Sequence, residues 1–140
     1  MTIPQMRSPD EQRDLDNRLI DAAQRGHTET VQVLIADGAD VCVQNDMALR
    51  WAASGGHTET VKILLAAGTD VHAQDDDVHA QDDHALRLAG WHGHTETVKA
   101  LLASGANVHA GNDAALRGAA HNGHTETVRA LARHIFAPDF

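Results

Sequence analysis

The residues that could do chemistry are concentrated in one stretch. Between positions 70 and 84 stand Asp70, His72, Asp75, Asp76, Asp77, His79, Asp82, Asp83 and His84. Carboxylates and imidazoles together suit divalent metals such as zinc, copper or nickel. His72, Asp75, Asp76, His79 and Asp83 are the candidate ligands. No spacing here matches a ligand motif, and the loop signature of a calcium site is absent. A solvated acidic loop therefore accounts for the stretch better than a metal centre, and no cofactor is expected. Four further histidines, His27, His57, His94 and His124, each follow a glycine. A histidine ladder binding metal is the weaker reading of them; recurrence at one position of a repeated frame points to side chains that brace neighbouring turns. Cys42, the single cysteine, lies between Val41 and Val43, which offer nothing to lower its pKa. No nucleophile has a plausibly placed base, and there is no Gly-rich phosphate loop and no His-Glu-x-x-His. The chain is expected not to be an enzyme.

The frame that positions these residues is a hexapeptide, Gly-His-Thr-Glu-Thr-Val, at residues 26–31, 56–61, 93–98 and 123–128. Copies are separated by 30, 37 and 30 residues. A fixed period of a few tens of residues marks a stacked repeat architecture. Each glycine closes one helix in the left-handed conformation. Thr-Glu-Thr then opens the next, with threonine available as a cap and glutamate in the favourable first turn. The valine starts an apolar stripe: Val31, Leu34, Ile35; Val61, Leu64, Leu65; Val98, Leu101, Leu102; Val128, Leu131, Ala132. This is the spacing of one helical face.

Upstream, Ser8-Pro9-Asp10-Glu11 forms a capping box, with Leu15, Leu19, Ala22 and Ala23 following at helical spacing. The first helix is read over residues 9–25. Gly38, Gly68 and Gly105 stop the second helices, whereas the fourth unit has Ile135 there. Terminal units lack a neighbour and are usually atypical. The fingers that follow carry Ala39-Asp40-Val41, Thr69-Asp70-Val71 and Ala106-Asn107-Val108. These are turn residues with one anchoring valine. Asn45-Asp46, Asp82-Asp83 and Asn112-Asp113 are then expected to cap first helices burying Leu49, Ala52, Ala53; Leu86, Ala89, Gly90; and Leu116, Ala119, Ala120.

With two Trp, two Phe and no Tyr, the core must be Ala, Leu and Val between close helices. No apolar run approaches the roughly 18–20 residues needed to span a bilayer. No secretory leader is visible, and a lone cysteine suits a reducing compartment. An intracellular, cytoplasmic setting is expected. The net charge is −9 with histidines neutral, and adding eleven protonated histidines takes it to +2. An acidic chain argues against nucleic acid, which demands phosphate neutralisation, and is compatible with a basic protein partner. A monomer is expected, with a domain-swapped dimer as the alternative.

At Ala-Leu-Arg-x-Ala-Ala, Gly-His-Thr-Glu-Thr-Val-Lys-x-Leu-Leu and Gly-Ala-Asn-Val-His-Ala the pattern resembles the ankyrin repeat, over about residues 9–136. The usual unit is about 33 residues and opens its first helix with Thr-Pro-Leu-His. Here the Thr-Pro is missing, Arg50, Arg87 and Arg117 stand where that His would be, and the unit is a 30-residue variant. The departure bears on the finger and on the family's Thr–His hydrogen bond, not on the fold. The resemblance implies an all-α solenoid of four helix-turn-helix units with hairpin-like fingers, a structural Gly-His, and protein binding on the concave face. Carried over residue by residue, the contact positions are Asn17, Met47, His84 and Ala114 at the helix starts. Before each Gly-His they are Gln24 and Arg25, Ser54 and Gly55, Trp91 and His92, and His121 and Asn122. Met47, Ser54, His84, Trp91, His92, His121 and Asn122 are the expected partner-binding set. Trp91 is either an exposed anchor or part-buried on the next repeat; Trp51, aligned with Leu88 and Gly118, is expected to pack.

The irregular gap has its own cause. Asp-Val-His-Ala-Gln-Asp-Asp occurs at residues 70–76 and again at 77–83, a tandem duplication of seven. Repeats are thus read at about 9–44, 45–74, 82–111 and 112–136, with 75–81 inserted, 1–8 a lead-in and 137–140 a tail. Val71, at the normal distance from Gly68, is favoured over Val78 as anchor. Both flanking repeat pairs should remain stacked. Functionally the chain reads as an interaction module. The alternatives are a metal- or pH-responsive binder using the Asp/His finger, or a consensus-like scaffold, natural or constructed, given that the hexapeptide is identical in all four units.

Overall fold

A computed structural model describes residues 8–68 and 80–136 of the chain. They form eight helices: α1 (Pro9–Arg25), α2 (Thr28–Ala36), α3 (Val43–Ser54), α4 (Thr58–Ala66), α5 (Ala80–Trp91), α6 (Thr95–Ala103), α7 (Ala110–His121) and α8 (Thr125–Phe136). No strand occurs among the described residues. Consecutive pairs make antiparallel hairpins, and the hairpins stack into two layers. The layer of α1, α3, α5 and α7 packs more closely than that of α2, α4, α6 and α8. Alanines explain the difference: Ala48, Ala52, Ala85, Ala89 and Ala119 are fully buried between the first-layer helices. The first-layer helices, drawn together by these alanines, make one face of the stack, the inner face.

The local signals act largely as expected. Ser8 Oγ accepts from Glu11 N at 3.1 Å and Glu11 Oε1 accepts from Ser8 N at 2.8 Å, closing the capping box. Gly26, Gly56, Gly93 and Gly123 have φ of 72–75°, the left-handed stop that glycine adopts without strain. α8 lacks such a stop after its valine stripe and runs 12 residues, where α2, α4 and α6 run 9. Leu19, Leu49, Leu64, Leu86, Leu101 and Leu131 form the spine of the core. In the fourth unit Leu116 is only half-buried and Ala120 is exposed, since no further hairpin covers them among the described residues. The fingers at 37–42 and 104–109 are turns. Asp40 Oδ1 accepts from Cys42 N and Asn107 Oδ1 from His109 N, both at 2.9 Å. Val108 is buried as an anchor should be, and Val41 packs against the core. Val71 and Val78 lie outside the described residues.

Two cap assignments are corrected. The first helices begin two residues before the Asn-Asp and Asp-Asp pairs, at Val43, Ala80 and Ala110, and neither Cys42 nor His109 gives a side-chain cap. Asp113 is nonetheless irregular within the first turn of α7: its φ is 60°, and its Oδ1 meets His109 Nδ1 at 2.7 Å. The hexapeptide threonines do not cap either; His27, His57 and His94 hold that position without a side-chain bond. The hydroxyls bond across repeats instead: Thr28 to Thr60 at 3.0 Å, Thr58 to Thr97 at 2.8 Å and Thr95 to Thr127 at 2.7 Å. Thr60, Thr97 and Thr127 are fully buried, and a buried hydroxyl needs a partner.

This ladder also runs across the irregular gap. Thr58 and Thr97 are 39 residues apart where the other two pairs are 32 apart, the difference being the seven duplicated residues. The stack is therefore continuous through the duplication. α5 begins at Ala80, inside the segment 75–81 read as the insertion, so Ala80 and Gln81 belong to the helix. Deleting residues 75–81 leaves Gln74 followed by Asp82, which regenerates a single Asp-Val-His-Ala-Gln-Asp-Asp and the same helix start. Unfolding in urea should place this deletion within about 1 kcal/mol of the parent, the scale of loop-closure entropy.

Candidate functional site

The inner face carries a groove of about 650 Å³ between α5 and α7. His84, Arg87, Leu88 and Trp91 line one side, and Ala114, Arg117, Gly118 and His121 the other. Each set steps by three, four and seven residues, so each is the outward stripe of a helix whose opposite stripe is core. The equivalent stripe of α3 is Met47, Arg50, Trp51 and Ser54, and that of α1 is Asn17, Ile20, Asp21 and Gln24.

Trp91 combines the two roles expected of it. It is 49% exposed, yet its indole lies on the next repeat, stacked with His121 at 5.9 Å between ring centroids. Gly118 permits this: a Cβ there would stand 3.1 Å from Trp91 Cε3. The expectation that Trp51 packs away is corrected, since it is 42% exposed and belongs to the same surface stripe. Of the anticipated contact positions, the groove brings together His84, Trp91, Ala114 and His121. Met47 and Ser54 lie one helix away; Asn122 Nδ2 donates to the Trp91 carbonyl oxygen at 2.9 Å, and the His92 ring sits 5.9 Å from that of His94. Arg87, Leu88, Arg117 and Gly118 were not anticipated as lining. Their signal was the i+3 and i+4 steps from His84 and Ala114, which the family alignment assigned to a replaced histidine and to packing.

The joint histidines brace the stack. His57 Nε2 donates to the Gln24 carbonyl at 3.0 Å and His94 Nε2 to the Ser54 carbonyl at 2.9 Å, which fixes the proton on Nε2. Each ring lies over the glycine of the preceding joint. Burial pushes His94 below the ordinary histidine range. The Ser54 carbonyl opposes that shift, while His92, His57 and His124 add to it. Burial, then Arg50 and Arg87, lower His84. A histidine depressed in the folded state takes up its proton more readily once unfolded. Its stabilisation is complete above the unfolded value of about 6.5 and is lost as pH falls below it. The stability difference between the parent and His94→Gln should therefore shrink between about pH 7.5 and 5.5 in denaturant titrations, a window set by that value.

Of the candidate metal ligands, His72, Asp75, Asp76 and His79 lie outside the described residues, and Asp83 falls in the first turn of α5. Among the described residues no three His, Cys, Asp or Glu side chains converge. Nor is any described helix long and apolar enough to cross a membrane.

Two family models match the chain. One, ankyrin repeats (3 copies), covers residues 8–75, and the other, ankyrin repeats (many copies), covers 49–102. No curated protein matches it.

Proposed function

We propose that this chain, which belongs to the ankyrin-repeat family, is a non-catalytic module that binds a protein partner on its inner face. Ankyrin repeats mediate protein–protein interaction, which supplies the class of function. The observation that carries the assignment to this face is Trp91, half-exposed at a groove mouth yet stacked on His121 and packed over Gly118. A large aromatic fixed in place before binding loses little entropy on docking, the usual property of an interface anchor. Met47, Trp51 and Ser54 would extend the contact along α3, and His92 and Asn122 would border it.

The test is a pull-down with the parent and with Trp91→Ala, folding being checked by circular dichroism. Loss of the captured partners from the folded variant is expected. An unchanged partner set would move the interaction off this face. The repeat boundaries near 44, 74 and 111 belong to the same proposal, each unit contributing one stripe to the surface.

A further inference from the structure

The two ends of the stack are built differently. In the first three units Leu19, Leu49 and Leu86, and Val31, Val61 and Val98, are fully buried. Their counterparts at the α7–α8 end, Leu116 and Val128, are half-buried, and Ala120 is exposed where Ala23 and Ala53 are not. Thr28, Thr58 and Thr95 each bond the hydroxyl of a following unit; Thr125, the matching residue, is exposed. Ala132 and Phe136 follow it by seven and eleven residues, on the same stripe of α8. Phe136 is 75% exposed. The joint repeats the pattern: Gly26, Gly56 and Gly93 each lie under an imidazole of the next unit, whereas nothing stands within 4 Å of a Cβ at Gly123. The α7–α8 end thus offers an apolar face with one open ring-sized place and one exposed ring.

The α1–α2 end is sealed. Arg18 stands where Ala48, Ala85 and Ala115 are fully buried against the preceding unit, and it pairs with Asp14 at 3.0 Å on the surface. First-layer helices approach too closely for it: a Cβ on Gly90 would already stand 2.8 Å from the Ala115 carbonyl oxygen. Burying the ion pair there would also cost its hydration. Head-to-tail stacking of copies is therefore blocked at the head.

We propose that the α7–α8 end takes a second copy of this chain, tail to tail about a two-fold axis, with Phe136 of each copy seated over Gly123 of the other. The face continues the inter-hairpin interface that holds the stack together, and it is self-complementary. α8 spans Thr125–Phe136, so pairing two such helices antiparallel sets the Phe136 end of each over the Thr125 end of its mate. There the phenyl ring enters the place that an imidazole fills in the other joints. α7 and α8 are antiparallel partners of equal length, so the same axis passes near the middle of α7 and brings the two Leu116 side chains together. An isologous contact of this kind closes at two copies. The groove between α5 and α7 lies on another face, so the pair would present two partner sites at once. This dimer takes the place of the monomer expected from the sequence, and it does not depend on the inner face being an interaction surface.

The test is sedimentation equilibrium of the 140-residue chain from micromolar to near-millimolar concentration, at low and high salt. The expected result is a reversible rise from the 15.0 kDa chain to twice that mass and no further. Two chains of −9 repel each other, so an apolar contact between them should tighten as salt screens that repulsion. Phe136→Ser should weaken the dimer at least about tenfold, as for loss of an interface anchor. Ala120→Arg, which gives the tail the side chain that seals the head, should abolish it. Both residues are exposed, and melting curves at low concentration establish that the variants remain folded. A monomer throughout the range overturns the proposal. So does growth past two copies, the mark of head-to-tail stacking. A dimer indifferent to both substitutions, as a domain-swapped one would be, overturns it as well.

Discussion

Gly56→Ala should lower the unfolding free energy by about 3 kcal/mol, whereas Gly123→Ala should lower it by only about 1–2 kcal/mol, the strain of one left-handed alanine. The two glycines share a hexapeptide and a backbone, with φ of 72° and 74°. In each joint the amide of the following histidine closes the turn, as in His57 N to Ala52 O at 2.9 Å. What differs is the neighbour. A Cβ on Gly56 would run into the imidazole of His94, and one on Gly93 would stand 2.5 Å from His124 Cγ. At Gly123 nothing lies within 4 Å, because no later repeat supplies a ring. Alanine at 56 must therefore displace His94 and break its bond to Ser54, adding about 1 kcal/mol for the hydrogen bond and at least a similar amount for repacking. Equal losses at the two sites, in paired urea titrations, would show that the rings yield freely and that φ alone selects the glycine.

The same comparison explains what could be read from the chain without coordinates. The left-handed stop was legible because glycine beside a helical stripe has one common use. The second reason for the glycine was not legible, since it belongs to a histidine one repeat later. Inter-repeat contacts in general escape a reading by local rules. Thr28 and Thr60 looked like caps because threonine at a helix start usually is one; burial between hairpins gave their hydroxyls each other instead. Asp16 is a further case. Nothing local marks it as buried, yet its Oδ1 accepts from Asp40 N at 2.8 Å and from Gln12 Nε2 at 2.7 Å, pinning the first finger. The site shows the same division. His84, Trp91 and His121 were found from helix-start and helix-end positions, but the arginines between them become lining only when the adjoining α5 and α7 stripes frame one groove. Trp51 was misjudged for a related reason: its aligned positions hold Leu88 and Gly118, and a leucine there suggested core when the stripe in fact faces outward.

Leu64→Ala should be the more damaging of two superficially equal core truncations. Leu64 and Leu131 are both fully buried, and either loses the transfer energy of the removed methyl groups plus a cavity term, about 3–5 kcal/mol in well-packed cores. Native domains hold only about 5–15 kcal/mol in total. The position in the stack decides how that loss is expressed. In a linear array, stability is the sum of unit terms and nearest-neighbour interfaces. α4 carries Leu64 and packs on both α2 and α6, whereas α8 carries Leu131 and packs in its layer on α6 alone. A weakened last unit can fray while the first three stay assembled, which caps its effect on the remainder. A weakened second unit has interfaces on both sides, so its loss uncouples the first hairpin from the last two. Urea unfolding of Leu64→Ala, followed by Trp fluorescence and by circular dichroism, should therefore show a large fall in midpoint and non-coincident transitions. Leu131→Ala should keep the main transition of the parent and lose a fraction of helical signal at lower denaturant. Identical single transitions for both variants would mean that the four hairpins unfold as one unit, and that the interface terms exceed the cost of either cavity.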